Sequence, residues 1–134
     1  MKTIQFGYHL TLDFYGCDKS QLDSMRNCYS TLEGLVAVLE MKPLTPPFVI
    51  ATDGNQDDGG KDPGGYSGFI IIAESHISLH TFVKRGFVSI DVYSCKIFNK
   101  DKAIKYFKQA FSPKDIEMNF VNRGTRYPSE NIYD

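Results

Sequence analysis

Apolar and polar positions alternate from the amino terminus, with Ile4, Phe6, Tyr8 and Leu10 set against Thr3, Gln5, Gly7 and His9. That period of two predicts a strand over 4–15, ending at Tyr15-Gly16. The period then lengthens. Leu22, Met25, Tyr29, Leu32, Val36 and Leu39 fall at helical spacing, predicting one amphipathic helix over 20–40 with Ser20 as N-cap and Asp23 in the place of a capping box. Pro46-Pro47 closes the connection, and Phe48-Val49-Ile50-Ala51 reads as a short buried strand. Strands follow at 67–74, 76–82 and 86–94. Asn99 caps a second helix in which Ile104, Phe107, Ala110 and Phe111 share a face, stopped by Ser112-Pro113. Ile116 to Val121 alternates as a last strand, and the polar tail from Asn122 reads as loosely held. The order β-α-β-β-β-α-β predicts an α+β fold, an antiparallel-rich sheet with helices on one face.

Length and charge narrow the class without naming it. The 134 residues predict a single domain, 1–134, that buries roughly two-thirds of its unfolded surface. Fifteen basic residues against sixteen acidic ones give no broad field for nucleic acid or a membrane. The amino terminus has no apolar core of signal-peptide length and no run approaches 18 apolar residues, so a cytoplasmic location is expected. Three cysteines, Cys17, Cys28 and Cys95, show neither disulfide nor zinc-knuckle spacing, which suits a reducing compartment and available thiols.

Two stretches depart from ordinary patterning. Asp53 to Gly65 is rich in glycine and aspartate, a composition that forbids a packed core and predicts a mobile loop. Directly after the next strand comes Glu74-Ser75-His76-Ile77-Ser78-Leu79-His80, which places a carboxylate, hydroxyls and two imidazoles where an apolar strand should turn. A serine held in a strained turn can attack the carbonyl before it, giving an ester by N-to-O acyl shift. Loss of the Ser75 Cα proton then eliminates the Glu74 carboxylate, and hydrolysis leaves a pyruvoyl group. His80, on a strand that folds back beside the junction, is a candidate base. Ser67 is a candidate oxyanion donor and Cys95 a candidate proton donor. On spacing alone the residues better fit a strand-ending serine, a satisfied core histidine and a small buried thiol. A zinc site from His76, His80 and Cys95 is the third reading, but four residues along a strand span about 13 Å, too far for one ion.

The stretch Glu74-Ser75-His76-Ile77-Ser78-Leu79-His80-Thr81 resembles the processing site of the bacterial and archaeal S-adenosylmethionine decarboxylases. The resemblance extends to Ser67-Gly68, to Gly86, and to Ile90-Asp91-Val92-Tyr93-Ser94-Cys95. A second patch, Gly7, His9-Leu10 and Leu12-Asp13 through Tyr15-Gly16-Cys17-Asp18, resembles that family's first strand. The resemblance implies a two-layer α/β sandwich and self-cleavage at Glu74-Ser75 into a β chain 1–74 and an α chain 75–134. It also implies a pyruvoyl cofactor made from Ser75, which forms a Schiff base with a substrate amine and acts as electron sink. His80 and Ser67 would serve processing, Cys95 would reprotonate the carbanion, and the protein would be a homodimer of αβ protomers with sites near the interface, in polyamine biosynthesis.

Two positions depart from that pattern. The family's acidic residue nine after the serine, a ribose ligand, is Lys84, and its aromatic fourteen before the serine is Lys61, with Tyr66 as a substitute if the loop is realigned. An ammonium is donor-only and cannot accept from ribose hydroxyls. These changes favour L-arginine or L-ornithine, on which relatives in the family act, over S-adenosylmethionine, with the aspartates of 53–62 supplying a carboxylate for the distal cation. Ile77, Lys84, Tyr66 and Asp62 are the candidate substrate contacts. An unprocessed, non-catalytic homologue is the remaining alternative.

Overall fold

In the computed structural model, residues 2–130 are described. Strands β1 (Thr3–Ile4) and β2 (Gly7–Tyr15) lead into helices α1 (Lys19–Leu22) and α2 (Met25–Val38). Four strands follow: β3 (Phe48–Thr52), β4 (Gly65–Ile72), β5 (Ser75–Phe82) and β6 (Phe87–Ser94). A 3-10 turn, Val83–Arg85, joins the last two. Helix α3 (Lys100–Phe111), β7 (Asp115–Arg123) and β8 (Tyr127–Pro128) complete the order. Four strands therefore separate α2 from α3, matching the four expected at 48–51, 67–74, 76–82 and 86–94, so that the order β-α-β-β-β-α-β is one strand short.

Six strands form one sheet in the order β3-β4-β5-β6-β2-β7, every neighbour antiparallel. Alternation sends Leu10, Leu12, Phe14, Ile70, Ile72, Ile77, Leu79, Val88, Ile90 and Val92 to one face, all buried. Cys28, Leu32 and Leu35 of α2 and Ala103, Phe107 and Phe111 of α3 cover them. Burying so many aliphatic and aromatic side chains, each contributing about 1.5–3 kcal/mol, is what holds the two layers together. The opposite face carries no helix and exposes Phe69 and Ile71 beside polar side chains. Among the described residues no helix is long and apolar enough to cross a membrane.

Four local expectations are corrected. The helix expected over 20–40 breaks at Asp23–Ser24, because two caps compete for it. The Asp18 carboxylate accepts from the backbone of Ser20 and Gln21, and Ser24 Oγ accepts from Asn27 N. Ser20 thus sits inside α1 rather than capping it. The first strand likewise divides at Gln5-Phe6, where Phe6 N donates to Gly124 O. Its first part pairs with β8, Thr3 opposite Pro128 and Ile4 opposite Tyr127, so the tail after Asn122 is tied down through Ser129. The strand expected to be buried at Phe48 is an edge strand, with Phe48 53% and Ile50 44% exposed.

Candidate functional site

Strands β4 and β5 are joined by a two-residue turn, Ala73-Glu74, with Ile72 and Ser75 closing the ladder. Ser75 has φ +152°, a region that essentially only glycine occupies without strain. Flanking backbone overdetermines it. Ala73 N donates to Lys42 O at 2.9 Å, Cys95 N donates to Glu74 O at 2.9 Å, and Ser75 pairs with Ser94. Glu74, Ser75 and the exposed Cys95 therefore meet at one end of the sheet. Glu74 Oε2 is buried there without a hydrogen-bond partner. Gly7 makes this approach possible: a Cβ on it would lie 2.6 Å from Ser94 O and 3.1 Å from Cys95 Cα.

Ser67 and His80 are brought together elsewhere. They face each other across β4 and β5, and Ser67 Oγ lies 2.8 Å from His80 Nδ1. His80 is five residues along β5 from Ser75, about 16 Å. The expectation that this strand returns His80 to its own junction is corrected, because β5 pairs with β4 from Ser75 to His80 and with β6 along its whole length and has no freedom to bend back. Ile77 is fully buried among the core side chains, so only its backbone can meet a ligand.

The far end of β5 opens into a cavity of about 600 Å³ lined by Tyr15, Phe82, Phe87, Asp58, Lys61, Asp62 and Arg85. Its floor is aromatic, with Tyr15 and Phe82 centred 5.2 and 5.5 Å from Phe87. The glycine-rich loop forms its wall and is folded back on itself: Asn55 N donates to Asp62 O, and Asp58 Oδ1 accepts from Lys61 N. Gly54, at φ +92°, closes its base, where a Cβ would lie 2.4 Å from Asp62 O. Arg85 Nη2 donates to Gly60 O at 2.8 Å and pins the loop across the opening. Lys61 and Asp62 thus line the aromatic cavity, whereas Lys84 and Tyr66 share a separate recess on the other side of the loop. Tyr15, Phe82, Phe87 and Arg85 were not singled out from sequence. The register that sets Phe82 opposite Phe87 across a three-residue turn, and the pairing of β2 with β6, bring the aromatics together. Beside this floor Tyr15 donates to Glu117, which pushes its phenol up to about 12. Asp13 is raised by burial and by its neighbours Glu117 and Asp91.

The family model described as S-adenosylmethionine decarboxylase matches residues 8–124. The chain belongs to the S-adenosylmethionine decarboxylase family. Among its relatives is the S-adenosylmethionine decarboxylase proenzyme of Clostridium botulinum (strain Langeland), 32% identical over 119 residues, spanning 88% of this chain and 94% of that one. The proenzyme of the same name from Sulfurihydrogenibium sp. is 33% identical over 119 residues, 88% of this chain and 82% of that one. The crystal structure of the adenosylmethionine decarboxylase from Aquifex aeolicus superposes with a TM-score of 0.77 at 27% identity, covering 96% of this chain and 98% of that one. The S-adenosylmethionine decarboxylase family and the α+β fold with its antiparallel sheet were both expected from the residues around Ser75 and from the strand order.

Proposed function

We propose that the chain is a proenzyme that cuts itself between Glu74 and Ser75 and becomes a pyruvoyl-dependent α-decarboxylase of β chain 1–74 and α chain 75–134. The observation that carries this reading is the Ser75 backbone at φ +152°, strain stored at the one peptide bond that the chemistry must break. Ser75 Oγ attacks the Glu74 carbonyl carbon, the C–N bond breaks, and an ester replaces the amide. Removal of the Ser75 Cα proton expels the Glu74 carboxylate and leaves dehydroalanine. Water then converts it to pyruvoyl with release of ammonia. The Cys95 backbone N–H, 2.9 Å from Glu74 O, already polarises the carbonyl under attack. The pyruvoyl group would supply an electrophilic carbonyl for a substrate amine and a sink for the electrons left when CO2 departs. Cys95, next to the junction, delivers the proton that replaces the lost carboxylate.

Ser67 and His80 lie about 16 Å from their own junction, which favours a homodimer in which they serve the partner's Glu74-Ser75 bond. The bare face that carries them supports this, since its exposed Phe48, Ile50, Phe69 and Ile71 are suited to burial against a second copy. Mass measurement of the intact protein tests cleavage: two fragments, the smaller blocked by pyruvoyl, are expected. A single full-length species would leave the chain an unprocessed homologue.

For substrate, L-arginine or L-ornithine is favoured. Lys84 and Lys61 replace an acceptor and an aromatic that a nucleoside needs, and Asp58 and Asp62 sit in the cavity wall where a distal cation would lie. The aromatic floor of the same cavity is the observation that favours S-adenosylmethionine, whose adenine it would stack. Either product belongs to polyamine synthesis. Release of CO2 from each of the three amino acids, offered singly to the cleaved protein, separates them, and turnover of S-adenosylmethionine alone would reverse the preference.

A further inference from the structure

The patch around Gly7 and His9 has a part in the site beyond making room for Cys95. Gly7 lies opposite Arg123 on β7 and against Cys95 on its other side, so the three form a row across the sheet. Gly7 itself puts no side chain between Arg123 and Cys95. The Arg123 guanidinium crosses β2 and lies 4.8 Å from the centre of the Tyr93 ring. Tyr93 is two residues before Cys95 and pairs with His76, the neighbour of Ser75.

Arg123 is also held from behind. Its Nη1 donates to His9 Nδ1 at 2.8 Å, and His9 Nε2 lies 2.9 Å from Asp91 Oδ1. A guanidinium has no acceptor, so His9 Nδ1 must accept and the ring is the neutral tautomer, donating from Nε2 to Asp91. The Asp91 carboxylate accepts from His9 rather than from Arg123. Among the described residues, this His9–Asp91 hydrogen bond is the one contact within 4.0 Å between a carboxylate and a basic side chain, and no carboxylate closes on Arg123. A fixed cation with most of its donors free is left beside the reacting end.

We propose that Arg123 is the receptor for the α-carboxylate of the incoming amino acid, with His9 as its positioning residue. The inference rests on the decarboxylase reading and names the group recognised there. A guanidinium matches a carboxylate in two parallel hydrogen bonds. Of the species that pass through such a site, only the substrate carries that group. Once the Cα–C bond breaks and CO2 leaves, the amine product has nothing for Arg123 to hold, so the residue separates substrate from product.

The test uses the self-cleaved protein and its Arg123→Gln and Arg123→Lys variants. For Arg123→Gln, the KM of the preferred amino acid is expected to rise about tenfold or more, with kcat changing by a smaller factor and the inhibition constant of the amine product unchanged. Arg123→Lys should recover part of the loss, and His9→Ala should give a smaller loss of the same selectivity. Equal weakening of amino acid and amine, or no change in either, overturns the proposal. Wild-type protein that stays uncleaved overturns the decarboxylase reading beneath it, a separate result visible by mass before any kinetics.

Discussion

The two ends of β5 were built under different constraints. At the Ser75 end every element is fixed by backbone: a two-residue turn, a ladder on both sides, and a glycine that admits Cys95 to within contact of β2. At the Phe82 end the walls are side chains and a loop secured by Arg85. The first arrangement tolerates little change, since the proposed cleavage would act on the main chain itself. The second can exchange residues without disturbing the sheet, and Lys61 stands in its wall. Under the proposed function, reaction and substrate choice would fall to opposite ends of one strand.

Substitutions can break that division or sharpen it. Ser75→Ala removes the attacking oxygen, and both fragments and all CO2 release should vanish. Persistent CO2 release would end the pyruvoyl reading. Cys95→Ala should still give two fragments on a gel while lowering turnover by about a hundredfold, the scale of a lost proton donor. Next comes a pair of glycines. Gly7→Ala puts a Cβ 2.6 Å from Ser94 O and should slow cleavage about tenfold, whereas Gly54→Ala should alter KM and leave the cleavage rate alone. Were both to slow cleavage alike, the ends would not be independent. Lys84→Glu restores an acceptor near the loop and should shift the ratio of kcat/KM values toward S-adenosylmethionine by about tenfold.

The smallest effect concerns Tyr15. Its phenol is held protonated to about pH 12 by donation to Glu117, against an ordinary 10.0. The raised value means that the contact stabilises the fold below pH 10 and that this contribution disappears as the pH climbs through 12. Glu117→Gln should bring the transition back toward 10, read as the difference in ultraviolet absorbance between variant and parent, with cleavage unaffected.

Much of this was legible in the residues. Alternation placed the sheet strands to within a few residues, while spacing alone left the Glu74-Ser75 junction ambiguous and only the family resemblance singled it out. Periodicity failed where a cap outranked it, as at Asp18 and Ser24, and where an apolar run faced outward, as at Phe48. The distance between His80 and Ser75 was misjudged because five residues look close in sequence, whereas an extended strand makes them distant. The aromatic cavity was illegible for the opposite reason, since Tyr15 and Phe87 are far apart in the chain and meet only through strand order. Arg123 reaches Tyr93 across a strand between them, a relation no linear pattern encodes.

The sheet order has one more implication. Read from edge to edge, β3 and β4 precede residue 75, β5 and β6 follow it, β2 precedes it, and β7 follows it. A cut at the junction would therefore leave two polypeptides woven through each other, with β2 of one clasped between two strands of the other. Neither fragment could leave without dismantling the sheet, and neither owns a complete set of neighbours with which to rebuild it. Folding would have to come first and scission second. After scission, recovery from denaturation would require two molecules to find each other, so dilution would decide whether the enzyme returns.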